Sequence, residues 1–277
     1  MPTLCTLADV VAEGKITGAL STSDKAYLYA LIEQVSARME TVELKTLLEP
    51  RVATYYHDAI RTPVSVGGDV LTLRYPLVGL TSVILGDGTD VTSSVQRRPR
   101  GAYPTLQLIL TSRTLNFYQV GGNVPYDAIA VSGHWCYHPE WDNAWRVADT
   151  LDTSINTSAT SIATDNNNRL SAGMLLRIGT EYLRVLDAHD DTATVERGVN
   201  GSTASTHLAG ATIAYFAPAQ VIHRVATRWT SYLWARRAAF EQTSFDGVAQ
   251  VSYPPDMPAE LKNALANLRP NGITGGI

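Results

Sequence analysis

The spacing of apolar residues changes along the chain, and each change predicts a change of element. Leu28, Leu31, Ile32, Val35 and Met39 recur at three and four, with Glu33, Arg38 and Glu40 largely off that stripe. This is the pattern of a helix that buries one face. Ser23 and Asp24 are read as its opening, and Thr6 followed by Asp9 predicts a capping box on a shorter helix through about Glu13. From Thr54 the pattern shifts to short alternating runs: Val64 and Val66, then Val70, Leu71 and Leu73, then Leu80, Val83 and Leu85. Gly67-Gly68, Pro76 and Gly86-Asp87-Gly88 break these runs as hairpin punctuation does. Leu106, Leu108 and Leu110 alternate cleanly, as do Ile129, Val131 and Gly133, so a small antiparallel sheet packed on the helices is predicted from Arg61 to Tyr137.

A second β-rich unit follows, from about Thr150 to Phe216. It opens with the low-complexity LDTSINTSATSIATDNNN and continues through MLLRIGTEYLRVL, TATVERGV and ATIAYF, read as strands, with Asn200-Gly201 as a turn. Its ends lie between a strand of the first unit and a helix, as expected of a domain inserted at a surface loop. That helix is predicted from Pro218 to Glu241, with Val221, Val225, Trp229, Tyr232 and Leu233 as its apolar stripe. Arg224, Arg228, Arg236 and Arg237 decorate the rest of it. Pro254-Pro255 stiffens the next stretch, a last short helix runs from Pro258 to about Leu268, and NGITGGI has little to hold it in place. The predicted fold class is α+β: a helical core with a small antiparallel sheet, plus an inserted all-β domain. The division is 1–149 with 217–277 as the core and 150–216 as the insertion.

Composition narrows the functions available. Hydrophobic residues at 45% are enough for a packed core, and a net charge of −4 gives no support to tight nucleic-acid binding. It leaves room for DNA that passes through a channel without being gripped. Cys5 and Cys136 are too few for a disulfide scaffold, no signal peptide is evident, and no apolar window approaches the roughly 20 residues needed to span a bilayer. A soluble protein made in a reducing cytoplasm is expected.

The candidate chemistry is thin. His134, Cys136 and His138 alternate, so on one strand all three would face the same way, and both residue types ligate zinc. Neighbours on one strand diverge too little to close a tetrahedron alone, and Trp135, Tyr137 and Trp141 favour aromatic packing. His57-Asp58 as an acid–base pair and His189-Asp190-Asp191 as a cation site are outweighed by ordinary loop chemistry. The chain has no GxSxG, no P-loop and no dinucleotide fingerprint. It is read as a non-enzyme with no cofactor and no metal. QRRPR, from Gln96 to Arg100, is a basic turn open to several readings, an exposed loop among them.

LADV followed by YLYALIEQVSARMETV, the sheet ending in IAVSGHWCYHPEW, and VATRWTSYLWARRAA before a proline-rich exit resemble, in that order, the head–tail connector (adaptor) proteins of long-tailed bacteriophages. The segment RIGTEYLRV…TVERGVNGST…HLAGATI is similar to a small β-module that recurs in phage structural proteins. The resemblance implies a structural virion protein, made in the host bacterial cytoplasm, that forms a ring, usually twelve-fold, beneath the portal vertex. Its implied partners are other copies of itself, the portal protein, a stopper or tail-completion protein, and genomic DNA that traverses the channel without sequence-specific binding; no membrane is implied. Portal docking is implied for the C-terminal stretch, with Tyr253, Pro254, Pro255, Leu261, Leu265, Leu268, Ile273 and Ile277 as contacts. Arg224, Arg228, Arg236 and Arg237 are read as a solvated helix face with snorkelling side chains, as part of a subunit interface paired with carboxylates such as Glu33 or Glu40 of a neighbour, or as channel wall. The alternative is a tail or baseplate module whose β insertion recognises a surface or carbohydrate. That role needs an exposed aromatic platform, for which Tyr182 and Tyr215-Phe216 are the only candidates.

Overall fold

Side-chain caps start the first two helices. In the computed structural model, which describes residues 1–60, 68–164, 170–189, 191–237 and 256–268, Thr6 and Asp9 form a reciprocal capping box on α1 (Leu7–Glu13). Ser21, slightly ahead of the predicted opening, accepts from the Asp24 amide and caps α2 (Thr22–Arg38). α2 continues into a π-helical turn, Met39–Glu43. The predicted stripe is the buried one: Leu28, Leu31, Ile32, Val35 and Met39 all face inward.

Five strands then form an antiparallel sheet: β1 (Arg51–His57), β2 (Val70–Ile84), β3 (Val95–Arg98), β4 (Thr105–Leu110) and β5 (Ile129–Trp135), in the order β1-β5-β2-β4-β3. β1 lies ahead of the predicted start at Arg61. β2 is one long strand where breaks were expected. It survives Pro76 because the ladder is interrupted there: Val70 to Thr72 pair with β4, the register breaks between Thr72 and Leu77, and from Leu77, which still meets Thr105 of β4, the strand also pairs with β5. A proline has no N–H to give a ladder, and in this irregular stretch none is needed. Its carbonyl is used instead, accepting from the Cys136 amide at 3.0 Å. Gly133 permits the closest approach of β5 to β2, since a Cβ there would stand 2.2 Å from the Gly79 carbonyl oxygen.

Six further strands make a second antiparallel sheet: β6 (Trp145–Thr150), β7 (Ser161–Ala163), β8 (Leu175–Ile178), β9 (Glu181–His189), β10 (Thr192–Arg197) and β11 (Thr212–Phe216), in the order β6-β11-β8-β9-β10-β7. It begins at Trp145, so β6 precedes the boundary drawn at residue 150. α3 (Gln220–Arg236) follows and packs back onto α1 and α2, and α4 (Ala259–Ala266) lies against α3.

The expected helical core with a small sheet is therefore incorrect. The chain is mostly β, with two substantial antiparallel sheets and only four short α-helices among the described residues. Those helices pack on one another as a layer at one side. The five-stranded sheet has its own apolar interior around Leu71, Phe117 and Trp135, and the six-stranded sheet another around Leu176, Leu183 and Ile213. The stripe on α3 is also rotated from the prediction. Ile222, Val225, Ala226, Trp229 and Trp234 are buried, whereas Val221, Tyr232 and Leu233 are half-buried. The cause is packing on more than one side: Thr227, Thr230 and Ser231 are buried too, and the Ser231 hydroxyl donates to the Val10 carbonyl of α1.

Candidate functional site

The helical layer is tied together by polar contacts along α3. Asp9 of α1 meets His223 Nε2 at 3.1 Å, and Arg228 Nε meets Glu13 at 3.0 Å with Glu260 of α4 at 3.7 Å. On the opposite flank, the Arg38 guanidinium lies 5.2 Å from the Trp229 ring centroid and meets Asp256 at 3.4 Å. Trp229 Nε1 donates to the Asp256 carbonyl at 2.8 Å. The start of the α4 segment is thus clamped over α2 and α3 by one aromatic residue and one cation.

A second constellation joins the layer to both sheets. Glu49, just before β1, has 0% exposure and Arg184 of β9 has 3%. Arg184 donates Nη1 and Nη2 to the two carboxylate oxygens at 2.7 and 2.6 Å. Asn200 Nδ2 adds a hydrogen bond at 2.8 Å and the Thr3 amide one at 3.2 Å. Burial alone would raise the Glu49 pKa; the Arg184 guanidinium and these donors outweigh it and hold the carboxyl below its usual range. Beside it, the Val52 amide of β1 donates to the Asn200 carbonyl at 2.8 Å. An aromatic seam of Tyr182, Trp145, Phe216 and Trp141 closes the same junction, with Trp145 stacked on Tyr182 at 5.4 Å. Within the second sheet, Glu181 takes Arg197 in a bidentate pair at 2.6 and 2.8 Å and His207 Nε2 at 2.8 Å. Burial pushes its pKa up, but the hydrogen bonds from Arg197, Ser205 and His207 prevail and lower it to about 2.

A cleft of about 860 Å³ opens where the N-terminal segment, β6 and the start of α3 meet. Cys5, Asp9, His138, Arg146 and His223 line it. The Cys5 thiol is pushed up to about 12, chiefly by burial, so it stays protonated and supplies no activated nucleophile. His138 is occupied on both sides, with Nε2 at 3.0 Å from the Ala217 carbonyl and Nδ1 accepting from the Glu140 amide.

The sequence-predicted residues are dispersed. β5 ends at Trp135, so His134, Cys136 and His138 do not share one strand face. His134 meets the Tyr182 hydroxyl at 2.8 Å, and Cys136 is fully buried against the Leu48 carbonyl. Among the described residues no three His, Cys, Asp or Glu side chains gather closely enough to hold a metal ion. The Asp58 carboxylate accepts from the Asp127 amide, and Asp190 lies outside the described residues. Of the arginines, Arg224 is exposed with no ion pair among the described residues. Arg228 is paired within the chain, the Arg236 guanidinium lies 5.2 Å from the Tyr232 ring centroid, and that of Arg237 lies 3.3 Å from the Trp234 ring centroid. Glu40 is committed internally, to Arg51 and to the Leu48 and Glu49 amides, and Glu33 lies 3.9 Å from the N-terminal amine. Leu261 and Leu265 are 5% and 2% exposed inside the helical layer, and Leu268 packs on it half-buried. Tyr253, Pro254, Pro255, Ile273 and Ile277 lie outside the described residues. On the second sheet Tyr182 is 1% exposed and Phe216 is buried, so with half-buried Tyr215 they form no open aromatic platform.

Among the described residues no helix is long and apolar enough to cross a membrane. Comparison with protein-family models and with curated proteins gives no match to this chain.

Proposed function

We propose that the protein is a structural component of a bacteriophage virion, a head–tail connector that assembles into a ring, dodecameric by resemblance, between the portal vertex and the stopper or tail. The observation that carries this reading is the return of α3 from beyond the second sheet to pack on α1 and α2, with α4 clamped beside it. The three stretches that resemble connector proteins, separated widely in sequence, supply α1 and α2, β5 and α3. A ring built from one chain needs heterologous contacts, in which one patch meets a different patch on the next copy. Arg224 and the exposed residues Tyr27 and Val42 of the helical layer are surfaces that can serve it. In the cleft, Cys5 is held as a thiol and His138 is hydrogen-bonded on both ring nitrogens, so neither of these two side chains favours a catalytic reading.

Electron microscopy of purified virions with this chain localised tests the reading. A ring of copies between portal and tail is expected, and density at the tail tip or absence from the particle overturns it. Deletion of residues 270–277 tests the docking component separately. The truncated chain is expected to melt as the full chain does and to co-purify less with the portal, so unchanged co-purification refutes a docking role for those residues.

A further inference from the structure

We propose that the β3–β4 hairpin is a phosphate-contacting tip that meets the backbone of duplex DNA without reading its sequence. Arg97 and Arg98 end β3, Arg100 stands in the turn, and all are exposed. From Asp90 to Asp127 the chain has no other carboxylate, while Arg113 adds a further cation. None of these arginines is in an ion pair among the described residues. This contrasts with Arg38, Arg51, Arg184, Arg197 and Arg228, each of which has a carboxylate partner within the chain. In a protein of net charge −4, a tip of uncompensated guanidinium groups is a local reversal of field.

The geometry is suited to a polyanion. Arg97 is anchored at the root, with Nη1 3.4 Å from the Val78 carbonyl and its guanidinium 6.0 Å from the Tyr103 ring centroid. Arg98 pairs across to Gln107, whose other neighbour is Thr72, so the arginine heads a polar row across three strands. Arg97 and Arg100 also line a cleft of about 550 Å³, where Asp142 is the one acid on the wall. Pro99 and Pro104 flank the turn and restrict its freedom, so less entropy is lost when it is held against a partner. Gly101 and Ala102 at the tip offer no large apolar anchor of the kind that carries binding energy in protein interfaces. A duplex presents roughly one negative charge per 1.7 Å of axis and requires only charge and donors from its partner.

The proposal deepens the connector reading, from which it takes the DNA, and its test is separable from it. Anisotropy of a labelled mixed-sequence duplex is measured with the purified protein at increasing salt. Three phosphate contacts predict a slope near −2.7 in log affinity against log salt, or roughly a 40-fold loss between 50 mM and 200 mM. The Arg98→Gln/Arg100→Gln variant is expected to lose about 2 from that slope while its melting temperature stays unchanged. The absence of binding by the unaltered protein at 50 mM salt, the same slope in the variant, or equal binding to poly-glutamate overturns the proposal. Co-purification with the portal reads the connector assignment independently. This variant is expected to retain it, so a lost DNA slope with portal binding intact supports both readings. A retained slope with portal binding intact sinks the hairpin alone.

Discussion

Removing one partner of the Glu49–Arg184 pair perturbs the point where the N-terminal segment, β1 and the second sheet meet. Arg184→Met leaves the Glu49 carboxylate, at 0% exposure, with the Asn200 amide, the Thr3 N–H and a long contact to the Thr3 hydroxyl. Breaking a buried pair from one side costs about 3–5 kcal/mol, against a total stability of roughly 5–15 kcal/mol for a typical domain. Glu49→Met strands the guanidinium instead, at a similar cost. The double substitution removes both charges, so it is expected to be less damaging than the sum of the singles, with a coupling of about 2–3 kcal/mol. Urea unfolding followed by tryptophan fluorescence gives the three values. The pH dependence supplies a second arm. The folded pKa of Glu49 lies below its ordinary 4.5, so its contribution is fully present above that value and is lost as pH falls through the folded pKa. The gap between wild type and Arg184→Met should therefore be widest at neutral pH and narrow in acid. Singles that cost under about 1 kcal/mol, or costs that simply add, would refute the argument that this ion pair holds the junction.

The other predictions concern a histidine, a turn and the α3 surface. Burial lowers the His57 pKa to about 4, outweighing the attraction of Asp58. A depressed histidine pKa destabilises the fold as pH falls from about 6.5 to 4, by up to about 3 kcal/mol, and His57→Gln should flatten stability measured across that window. Gly201 has φ +79°, and a Cβ there would stand 2.1 Å from the Val52 carbonyl oxygen. Gly201→Ala should cost about 2 kcal/mol or more in urea, and a loss below 0.5 kcal/mol would contradict the close docking of this turn on β1. Arg224→Ala should leave the unfolding free energy of the isolated chain within about 0.5 kcal/mol of wild type while reducing ring assembly seen by electron microscopy. Unchanged assembly would remove Arg224 from the interface.

How legible each feature was depended on the range of the interaction that makes it. The α1 capping box and the α2 stripe were readable because cap and period are local, set by residues three or four apart. The α3 helix was readable for the same reason, but its buried face was not. Its small residues Ala226, Thr227, Thr230 and Ser231 carry little hydrophobic signal, yet all four are buried, and Ser231 hydrogen-bonds to α1. β1 was missed although RVATYYH is rich in β-branched and aromatic residues and follows Pro50, because its apolar and polar positions do not alternate cleanly. β2 was divided at Pro76 by a rule that holds within a regular ladder and fails where the register breaks, as it does between Thr72 and Leu77. The Glu49–Arg184 pair joins residues separated by 135 positions, and nothing in either neighbourhood announces it. The resemblance gave Leu261 and Leu265 a portal contact, and within the chain both are buried in the helical layer. An amphipathic helix shows in sequence that its face must be covered, and does not show that the helical layer of the same chain covers it.

The junction also bears on how the second sheet would act in an assembly. A module inserted on loose linkers could take up contacts without transmitting them. Here the sheet is held by a buried ion pair to Glu49, by the Asn200-Gly201 turn on β1, and by the stacked Trp145 and Tyr182 of the seam. Arg184 further reaches the Met1 carbonyl, and the Thr3 hydroxyl donates to the Gly173 carbonyl, so the N-terminal strand of chain leading into α1 is bound to the same sheet. α1 in turn holds α3 through Asp9–His223 and Glu13–Arg228. A displacement of the second sheet therefore acts on the helical layer through covalently short, hydrogen-bonded steps. If the helical layer makes the ring, as proposed, the second sheet moves as part of the ring subunit. Arg184→Met should then loosen ring assembly as well as stability, and an assembly yield unchanged under conditions where the variant is fully folded would separate the two.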